Sequence, residues 1–250
     1  MRQYGLIGYP LGHSLSRVYF SEKFAKEGIT DADYQLYPLE KLPDLRLWIA
    51  DRPQLEGLNV TIPYKEVVLQ QLDWLEPGAA QIGAVNTIRI KRIHGELWLE
   101  GYNTDFVGFE ATIRPFLGFR KPSALVFGTG GSAKAVCYAL DRMNIAWKQV
   151  SRRPEPDQLS YAGITPEIAQ SFELWINCTP LGMAPNAASA PRLPYEWLSK
   201  KHLAYDLIYN PEETLFLRIA REAGARTMNG LAMLYAQAES AWTIWQSGKE

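Results

Sequence analysis

Residues 124–133 read ALVFGTGGSA, and this stretch decides the fold. Its first four residues are all apolar, which is typical of a strand buried on both faces of a parallel sheet. Gly128, Gly130 and Ala133 then satisfy the GxGxxG/A pattern, and an apolar helical segment follows them. Glycines there let the backbone approach a pyrophosphate, and the N-terminus of the helix presents N–H groups to it. The stretch therefore predicts a Rossmann-like nucleotide-binding domain.

The turn after the next predicted strand, residues 146–150, indicates which nucleotide is bound. An NAD site is expected to carry Asp or Glu about 20 residues beyond the glycines. This chain instead has Ser151, Arg152 and Arg153, and the first carboxylate there is Glu155. A guanidinium can bind the 2′-phosphate of NADP through two hydrogen bonds. An Arg pair can also be no more than a solvated turn, but its position favours NADP over NAD.

Residues 58–65, LNVTIPYK, predict a strand in the first half of the chain. Apolar and polar residues alternate there with a period of two, as they do along a strand with one polar face. Pro63 cannot donate a hydrogen bond to a sheet, so we expect the strand to stop there. A helix should follow over about residues 65–75.

Polar side chains on this stretch and on residues 101–105, GYNTD, form a candidate catalytic group. Asn59, Thr61 and Lys65 would meet at the carboxyl end of the strand, where open α/β sheets place their ligands. A lysine held there is a candidate acid/base, and Asp105 could orient its ammonium group. The alternatives are a solvated lysine at a capped strand–helix junction and an Asp105 that only caps a helix.

Four further polar residues are candidates for a binding site. Ser14 and Ser16 can point the same way from an extended segment and donate to a carboxylate, although either could merely cap the following helix. Asn86 lies between apolar residues, so its amide needs a buried partner, either a neighbouring strand or a ligand hydroxyl. Gln237 lies among the apolar residues of the last predicted helix, residues 231–246.

Length and composition place the chain among ordinary globular proteins. With 250 residues it can form one large or two modest domains, and 47% hydrophobic and 21% charged residues are ordinary proportions. Its net charge of −1 argues against general binding of nucleic acid or of an anionic membrane. We expect neither as a partner.

The cysteines, the histidines and the N-terminal sequence bear on the cellular compartment and on metals. Cys137 and Cys178 have no CxxC spacing and predict buried thiols in a reducing compartment. The three histidines are scattered, so we expect no metal site. The N-terminal apolar run is too short and too interrupted for a signal peptide, and no run approaches the ~20 apolar residues of a membrane helix. The expected location is the cytoplasm.

Taken together and in order, these motifs resemble those of the shikimate dehydrogenase family. The resemblance covers nearly the whole chain. It rests on residues 8–10 (GYP), 13–16 (HSLS), 59–65 (NVTIPYK), 83–87 (GAVNT), 101–105 (GYNTD), 128–133 (GTGGSA), 177–183 (NCTPLGM), 205–209 (YDLIY) and 229–231 (NGL), together with Gln237.

The resemblance implies a reaction and a set of substrate ligands. The reaction is the reversible reduction of 3-dehydroshikimate to shikimate with NADPH, in which Lys65 is the acid/base and Asp105 is its partner. The substrate carboxylate would be held by serine hydroxyls with Tyr209 nearby, and the ring hydroxyls by Thr61, Asn86, Asp105 and Gln237. The predicted substrate-binding set is Ser14, Ser16, Asn59, Thr61, Asn86, Asp105, Tyr209 and Gln237.

The resemblance also implies where NADP(H) is bound. The predicted cofactor-binding residues are Gly128, Thr129, Gly130, Gly131, Ser132, Ser151, Arg152 and Arg153, with main-chain groups at Leu207 and Gly230 near the nicotinamide. The family often has Asn-Arg-Thr where this chain has Ser-Arg-Arg. Since the central arginine is retained and a second cation is added, NADP preference should survive this departure.

The predicted fold class is α/β with two domains and a cleft between them. An N-terminal α/β substrate domain would comprise residues 1–104 and 229–250, and a Rossmann-like NADP-binding domain would comprise residues 105–228. A monomer is the default expectation, and a homodimer stays open.

Three other functions are alternatives to this one. A related polyol-acid dehydrogenase could take quinate or use NAD. A non-catalytic ligand sensor could keep the fold, but it would not need the Lys65–Asp105 pair. A folate-linked methylene dehydrogenase shares the architecture, but it would not need Ser14 and Ser16 for a carboxylate.

Overall fold

The computed structural model of this chain describes residues 1–12 and 14–247. The chain forms two compact units: unit 1 comprises Met1–Asp105 and Gln237–Glu250, and unit 2 comprises Phe106–Ala236. Each unit contains a β-sheet with helices, so the predicted α/β class with two domains is confirmed. His13, part of one motif above, lies outside the described residues. Within those residues, no helix is long and apolar enough to span a membrane.

Unit 1 is built on a mixed six-stranded sheet with the strand order β2-β1-β3-β5-β6-β4. Its elements are β1 (Arg2–Gly8), α1 (Ser16–Glu27), β2 (Ala32–Pro38), α2 (Leu45–Ala50), β3 (Leu55–Val60), β4 (Trp74–Leu75), α3 (Pro77–Ile82), β5 (Thr87–Ile93) and β6 (Glu96–Tyr102). Strand β1 pairs in parallel with β2 and β3, whereas β5 is antiparallel to β3 and β6. The carboxyl end of β3 therefore lies beside the start of β5.

Unit 2 is built on a six-stranded sheet with the order β12-β11-β10-β7-β8-β9, in which all the pairings are parallel. The remaining elements of the chain are α4 (Asp105–Leu117), β7 (Ala124–Phe127), α5 (Gly131–Arg142), β8 (Trp147–Ser151), β9 (Leu159–Ser160), α6 (Pro166–Ser171), β10 (Leu174–Asn177), β11 (Leu203–Asp206), α7 (Leu215–Glu222), β12 (Arg226–Met228) and α8 (Leu231–Gln246). Helix α4 begins at the last residue of the first segment of unit 1, and α8 continues from unit 2 into unit 1 at Gln237. Every residue of β7, β10 and β11 is buried, as their apolar runs require.

The last helix, α8, is anchored on the unit 1 sheet by Trp245. This side chain is buried, and its indole N–H donates to the main-chain oxygen of Ile88 at 3.0 Å. A Cβ at Gly57 would lie only 2.3 Å from the indole, so a side chain at that position of β3 would push the helix away. Gln237 lies about two turns earlier on the same helix. Its position therefore depends on how α8 packs.

The helix predicted over residues 65–75 is wrong. The structure has a 3-10 turn at Val67–Gln71 and the short strand β4 at Trp74–Leu75. Two main-chain bonds flank β4: the N–H of Asp73 donates to Leu99 O, and that of Glu76 donates to Gly101 O. Residues 74–75 therefore form a strand because they pair with the edge of β6. Such a tertiary pairing overrides local helix propensity.

The carboxylate of Asp206, at the end of β11, is fully buried in unit 2. It accepts hydrogen bonds from Thr214 Oγ1 at 2.6 Å, from Asn177 Nδ2 at 3.1 Å and from the main-chain N of Ile208 at 3.0 Å. Burial raises the pKa of Asp206 to about 6, against the opposing effect of these hydrogen bonds. Because this pKa is higher in the folded chain than in the unfolded chain, the folded chain binds more protons between about pH 4 and 6.

We predict that Asp206→Asn weakens the dependence of stability on pH. The contribution of Asp206 to stability is present below its unfolded pKa and is lost as the pH rises through about 6. Relative to the parent, the variant should therefore gain up to about 3 kcal/mol in free energy of unfolding between pH 4 and 7. Urea unfolding across this range measures the difference. The control is Asp157→Asn on an exposed turn, and parallel parent and Asp206→Asn curves would contradict the prediction.

Candidate active site

Lys65 and Asp105 form an ion pair in unit 1. The Nζ atom lies 2.6 Å from Oδ2 of the carboxylate, and the two side chains are 13% and 9% exposed. Lys65 follows the end of β3, and its main-chain oxygen accepts a hydrogen bond from Val85 N at 2.8 Å. Asp105 is the first residue of α4. Two segments 40 residues apart in sequence therefore place an ammonium and a carboxylate in direct contact.

Asn86 holds the other oxygen of the Asp105 carboxylate. Its Nδ2 donates to Asp105 Oδ1 at 2.7 Å and to Thr104 Oγ1 at 2.9 Å. Its Oδ1 accepts from the main-chain N of Thr104 at 2.7 Å. Because a main-chain N–H can only donate, this contact turns the amide nitrogen of Asn86 toward the carboxylate. Both carboxylate oxygens are thus engaged, and Asp105 is held in one orientation.

Asn103 fixes the backbone at the start of α4. Its Oδ1 accepts from the main-chain N of Asp105 at 3.0 Å, and its Nδ2 donates to Ala84 O at 2.9 Å. Asn103 and Thr104 were not predicted as site residues. Their position in the GYNTD motif, directly before the candidate catalytic Asp105, could have indicated them. The two residues join the start of α4 to the segment that carries Asn86.

Three other polar candidates of unit 1 are Gln237, Asn59 and Thr61, and the first two contact Asn86. Gln237 Oε1 is 3.4 Å from both Asn86 Nδ2 and Thr104 Oγ1. Asn59 is buried, with its Nδ2 directed at Thr87 Oγ1 at 3.2 Å. Thr61 is half-buried in the turn after β3, and its main-chain N donates to Ile7 O.

Ser14 and Ser16 stand before and at the start of α1. Ser14 Oγ accepts from the main-chain N of Ser16 at 3.3 Å, and Ser16 is buried. The N-cap residue of α1 is Leu15, and its side chain makes no capping hydrogen bond. In the described part of the chain, the only capping-type contact of these two serines is therefore the one between Ser14 Oγ and the main-chain N of Ser16.

The glycine loop of unit 2 lies between β7 and the N-terminus of α5, as predicted. Gly128 has a φ of +109°, a backbone region that favours glycine. A Cβ there would lie 3.3 Å from the main chain of Cys178. Gly130 is the N-cap residue of α5, without a side chain over the first helical turn. The loop thus leaves main-chain N–H groups open to an anion, which fits a pyrophosphate.

The turn after β8 presents two cationic side chains. Arg152 and Arg153 are both exposed. Ser151 is buried, and its Oγ accepts from Arg153 N at 3.2 Å and donates to Arg153 O at 3.1 Å. This serine therefore fixes the backbone of the turn at Arg153.

The two predicted main-chain contacts for the nicotinamide lie side by side in unit 2. A Cβ at Gly230 would lie 2.0 Å from Leu207 O, a distance that no side chain tolerates. The main-chain N of Gly230 donates to Ile208 O at 3.0 Å. Tyr209 follows in the same segment and is half-buried. Glycine is therefore required at position 230, where the backbone passes close to that of Leu207.

Among the described residues, no group of three or more His, Cys, Asp and Glu side chains could hold a metal ion. What the chain does contain is a parallel sheet with a nucleotide-type glycine loop in unit 2 and a buried lysine–carboxylate pair in unit 1. These are the parts of a nicotinamide-dependent oxidoreductase, in which a cofactor transfers hydride and a side chain transfers the proton.

Comparison with known proteins narrows this class to a family. Residues 6–88 match the family model described as shikimate dehydrogenase substrate binding domain. A shikimate dehydrogenase (NADP(+)) of Clostridium perfringens is 38% identical, with 100% of this chain and 94% of the relative covered. This chain belongs to the shikimate dehydrogenase family, and it is an oxidoreductase.

Two solved structures are similar over almost the whole chain. Shikimate 5-dehydrogenase from Thermus thermophilus, in complex with NADP(H) and shikimate, has a TM-score of 0.83 at 32% identity and covers 98% of this chain and 94% of its own. Quinate dehydrogenase from Corynebacterium glutamicum, in complex with NAD, has a TM-score of 0.84 at 26% identity and covers 98% and 93%. The fold is thus shared by enzymes of different substrate and nucleotide.

Proposed function

We propose that this chain catalyses the reversible reduction of 3-dehydroshikimate to shikimate with NADPH. The observation that carries the proposal is the Lys65–Asp105 contact of 2.6 Å, held by Asn86, in a member of the shikimate dehydrogenase family. Relatives named shikimate dehydrogenase (NADP(+)) and a similar structure that contains NADP(H) and shikimate support it.

Lys65 is the general acid of the reduction. Its ammonium group donates a proton to the oxygen of the ketone as that oxygen becomes an alkoxide, and its neutral amine takes the proton back in the reverse direction. Asp105 keeps the ammonium in one place, because its second oxygen is held by Asn86. The ammonium group of Lys65 is therefore already oriented before the proton is transferred.

NADPH fits the residues of unit 2. The glycine loop, with a positive φ at Gly128, and the N-terminus of α5, which has a glycine as its N-cap, can bind a pyrophosphate. The exposed Arg152 and Arg153 can bind a 2′-phosphate. When bound, the cofactor supplies the hydride for the ketone carbon. The residues proposed to hold it are Gly128, Thr129, Gly130, Gly131, Ser132, Ser151, Arg152 and Arg153, with the main chain at Leu207 and Gly230.

The substrate ligands are proposed by their chemistry. The hydroxyls of Ser14 and Ser16, with that of Tyr209, donate to the substrate carboxylate. The ring hydroxyls are proposed to bind to polar side chains of unit 1, those of Asn59, Thr61, Asn86, Asp105 and Gln237.

We further propose that unit 1 binds the substrate and unit 2 binds the cofactor. The family model for the substrate-binding domain falls within unit 1, which supports this division. The domain limits expected from the sequence, 1–104 with 229–250 and 105–228, stay predictions. A cytoplasmic location is supported by two free thiols, Cys137 and Cys178. A monomer is the proposed state, with a homodimer as the alternative.

The second candidate is a dehydrogenase that takes quinate or uses NAD. The observation in its favour is the likeness to a quinate dehydrogenase in complex with NAD. Arg152 and Arg153 favour NADP, since a 2′-phosphate gives two guanidinium groups an anion to bind. Quinate differs from shikimate at the ring, and no residue described above tells the two acids apart.

We predict that Lys65→Ala lowers the turnover number at least ~100-fold, the usual loss when a general acid is removed. The KM for NADPH should change little, because the lysine is not among the proposed cofactor ligands. Steady-state kinetics with purified protein measures both values. Lys26→Ala, on the surface of α1, is the control. Unchanged turnover in Lys65→Ala would reject Lys65 as the acid/base.

We predict that Arg152→Ala raises the KM for NADP⁺ about tenfold while the KM for NAD⁺ stays the same. The reason is the loss of charge-assisted hydrogen bonds to the 2′-phosphate, which NAD⁺ lacks. Initial rates with each nucleotide at saturating shikimate give both constants. Arg218→Ala, an exposed arginine of α7, serves as the control. An equal rise for both nucleotides would show that Arg152 does not read the 2′-phosphate.

A further inference from the structure

A line of buried hydrogen bonds runs from strand β2 to the carboxylate of the ion pair. Tyr34 OH donates to Asn59 Oδ1 at 2.8 Å, and Asn59 Nδ2 donates to Thr87 Oγ1 at 3.2 Å. Thr87 Oγ1 donates to Asn86 Oδ1 at 3.1 Å, and Asn86 Nδ2 donates to Asp105 Oδ1 at 2.7 Å. We name these five residues the Tyr34 network.

Every member of the Tyr34 network is withdrawn from water. The exposed fractions are 1% for Tyr34, 5% for Asn59, 0% for Thr87, 3% for Asn86 and 6% for Asp105. In a medium of low dielectric constant, hydrogen bonds are stronger and neighbouring ones polarise each other. A hydroxyl at one end of such a line can therefore influence the carboxylate at the other end.

The neighbours of Asn59 and Asn86 force the direction of these bonds. Asn59 Nδ2 also donates to the main-chain oxygen of Asn86 at 3.3 Å, and a carbonyl oxygen can only accept. Asn59 Oδ1 must therefore face Tyr34, which donates. The main-chain N of Thr104 fixes Asn86 in the same manner. Since Asn86 Oδ1 can only accept, Thr87 is the donor in their contact at 3.1 Å, which is shorter than the 3.3 Å from Thr87 Oγ1 to the hydroxyl of Thr104. All four donors thus point toward Asp105.

We propose that Tyr34 is a positioning residue for the reaction, acting through Asn59, Thr87 and Asn86 on the Asp105 carboxylate that orients Lys65. The inference rests on the function proposed above. Tyr34 acts through its hydroxyl alone, because its ring is held separately, stacked on Phe20 with centroids 4.3 Å apart. Without the hydroxyl, Asn59 Oδ1 loses its Tyr34 hydrogen bond, and the first donor of the line is gone.

Tyr34→Phe tests this proposal against a closely matched control, Tyr4→Phe. Tyr4 is equally buried in the same aromatic cluster of unit 1, but its hydroxyl donates to Glu56 Oε2 at 2.9 Å. We expect Tyr34→Phe to lower kcat about three- to tenfold, the rate equivalent of one net hydrogen bond, with the KM for NADP⁺ unchanged. Tyr4→Phe should keep kcat within about twofold of the parent.

Thr87→Val interrupts the network at its middle and provides a double-mutant cycle. We expect it to lower kcat as Tyr34→Phe does, and we expect the double variant to lose little more than the more impaired single variant. Losses that multiply would overturn the proposal, as would equal kcat in Tyr34→Phe and Tyr4→Phe. If Tyr34→Phe fails to fold, Thr87→Val decides alone against Thr112→Val, a threonine of α4 outside the network.

The parent enzyme separates failure of this inference from failure of the proposed function. A parent that is active while Tyr34→Phe and Thr87→Val match their controls overturns only the role of the network. A parent that is inactive with shikimate and with quinate, and with either nucleotide, overturns the proposed function and the role of Tyr34 with it.

Discussion

The ion pair between Lys65 and Asp105 is the interaction on which the arrangement of the polar site in unit 1 depends. Two charges withdrawn from water are costly to bury, and their attraction offsets that cost only when their remaining hydrogen-bonding capacity is also used. Here the second carboxylate oxygen is taken by Asn86, whose own oxygen is taken by the backbone of Thr104. The polar residues around the pair are therefore a requirement of burying it.

The fold meets this requirement by bringing together chain segments that are far apart in sequence. The end of β3 supplies the lysine, the segment before β5 supplies Asn86, and the start of α4 supplies Asp105. Helix α8, fixed on the sheet by Trp245, supplies Gln237. Hydrogen bonds tie these segments together: Lys65 and Asn86 both bind Asp105, and Asn86 also contacts Gln237. A site built on strand ends in this way is held by the sheet itself.

The sequence predicted those parts of the structure whose cause is local. Residues 124–133 gave β7, the glycine loop and the start of α5, because an apolar run and a glycine pattern depend only on neighbours in sequence. The helix over residues 65–75 was wrong, because pairing with β6 lies outside any local window. The contributions of Thr87, Asn103 and Tyr34 to the site were not predicted either, since they depend on side chains and backbone of other segments. The roles of the candidate ligands stay predictions.

The most direct test of the proposed reaction is the absorbance of reduced nicotinamide after purified protein is mixed with shikimate and NADP⁺. Parallel reactions replace shikimate with quinate, or NADP⁺ with NAD⁺. We expect a fast rise with shikimate and NADP⁺ and a much slower one when NAD⁺ replaces NADP⁺, because Arg152 and Arg153 favour the 2′-phosphate. The rate with quinate and NADP⁺ shows whether the enzyme also accepts that acid. No rise in any mixture, from protein shown to be folded, would contradict the proposed reaction.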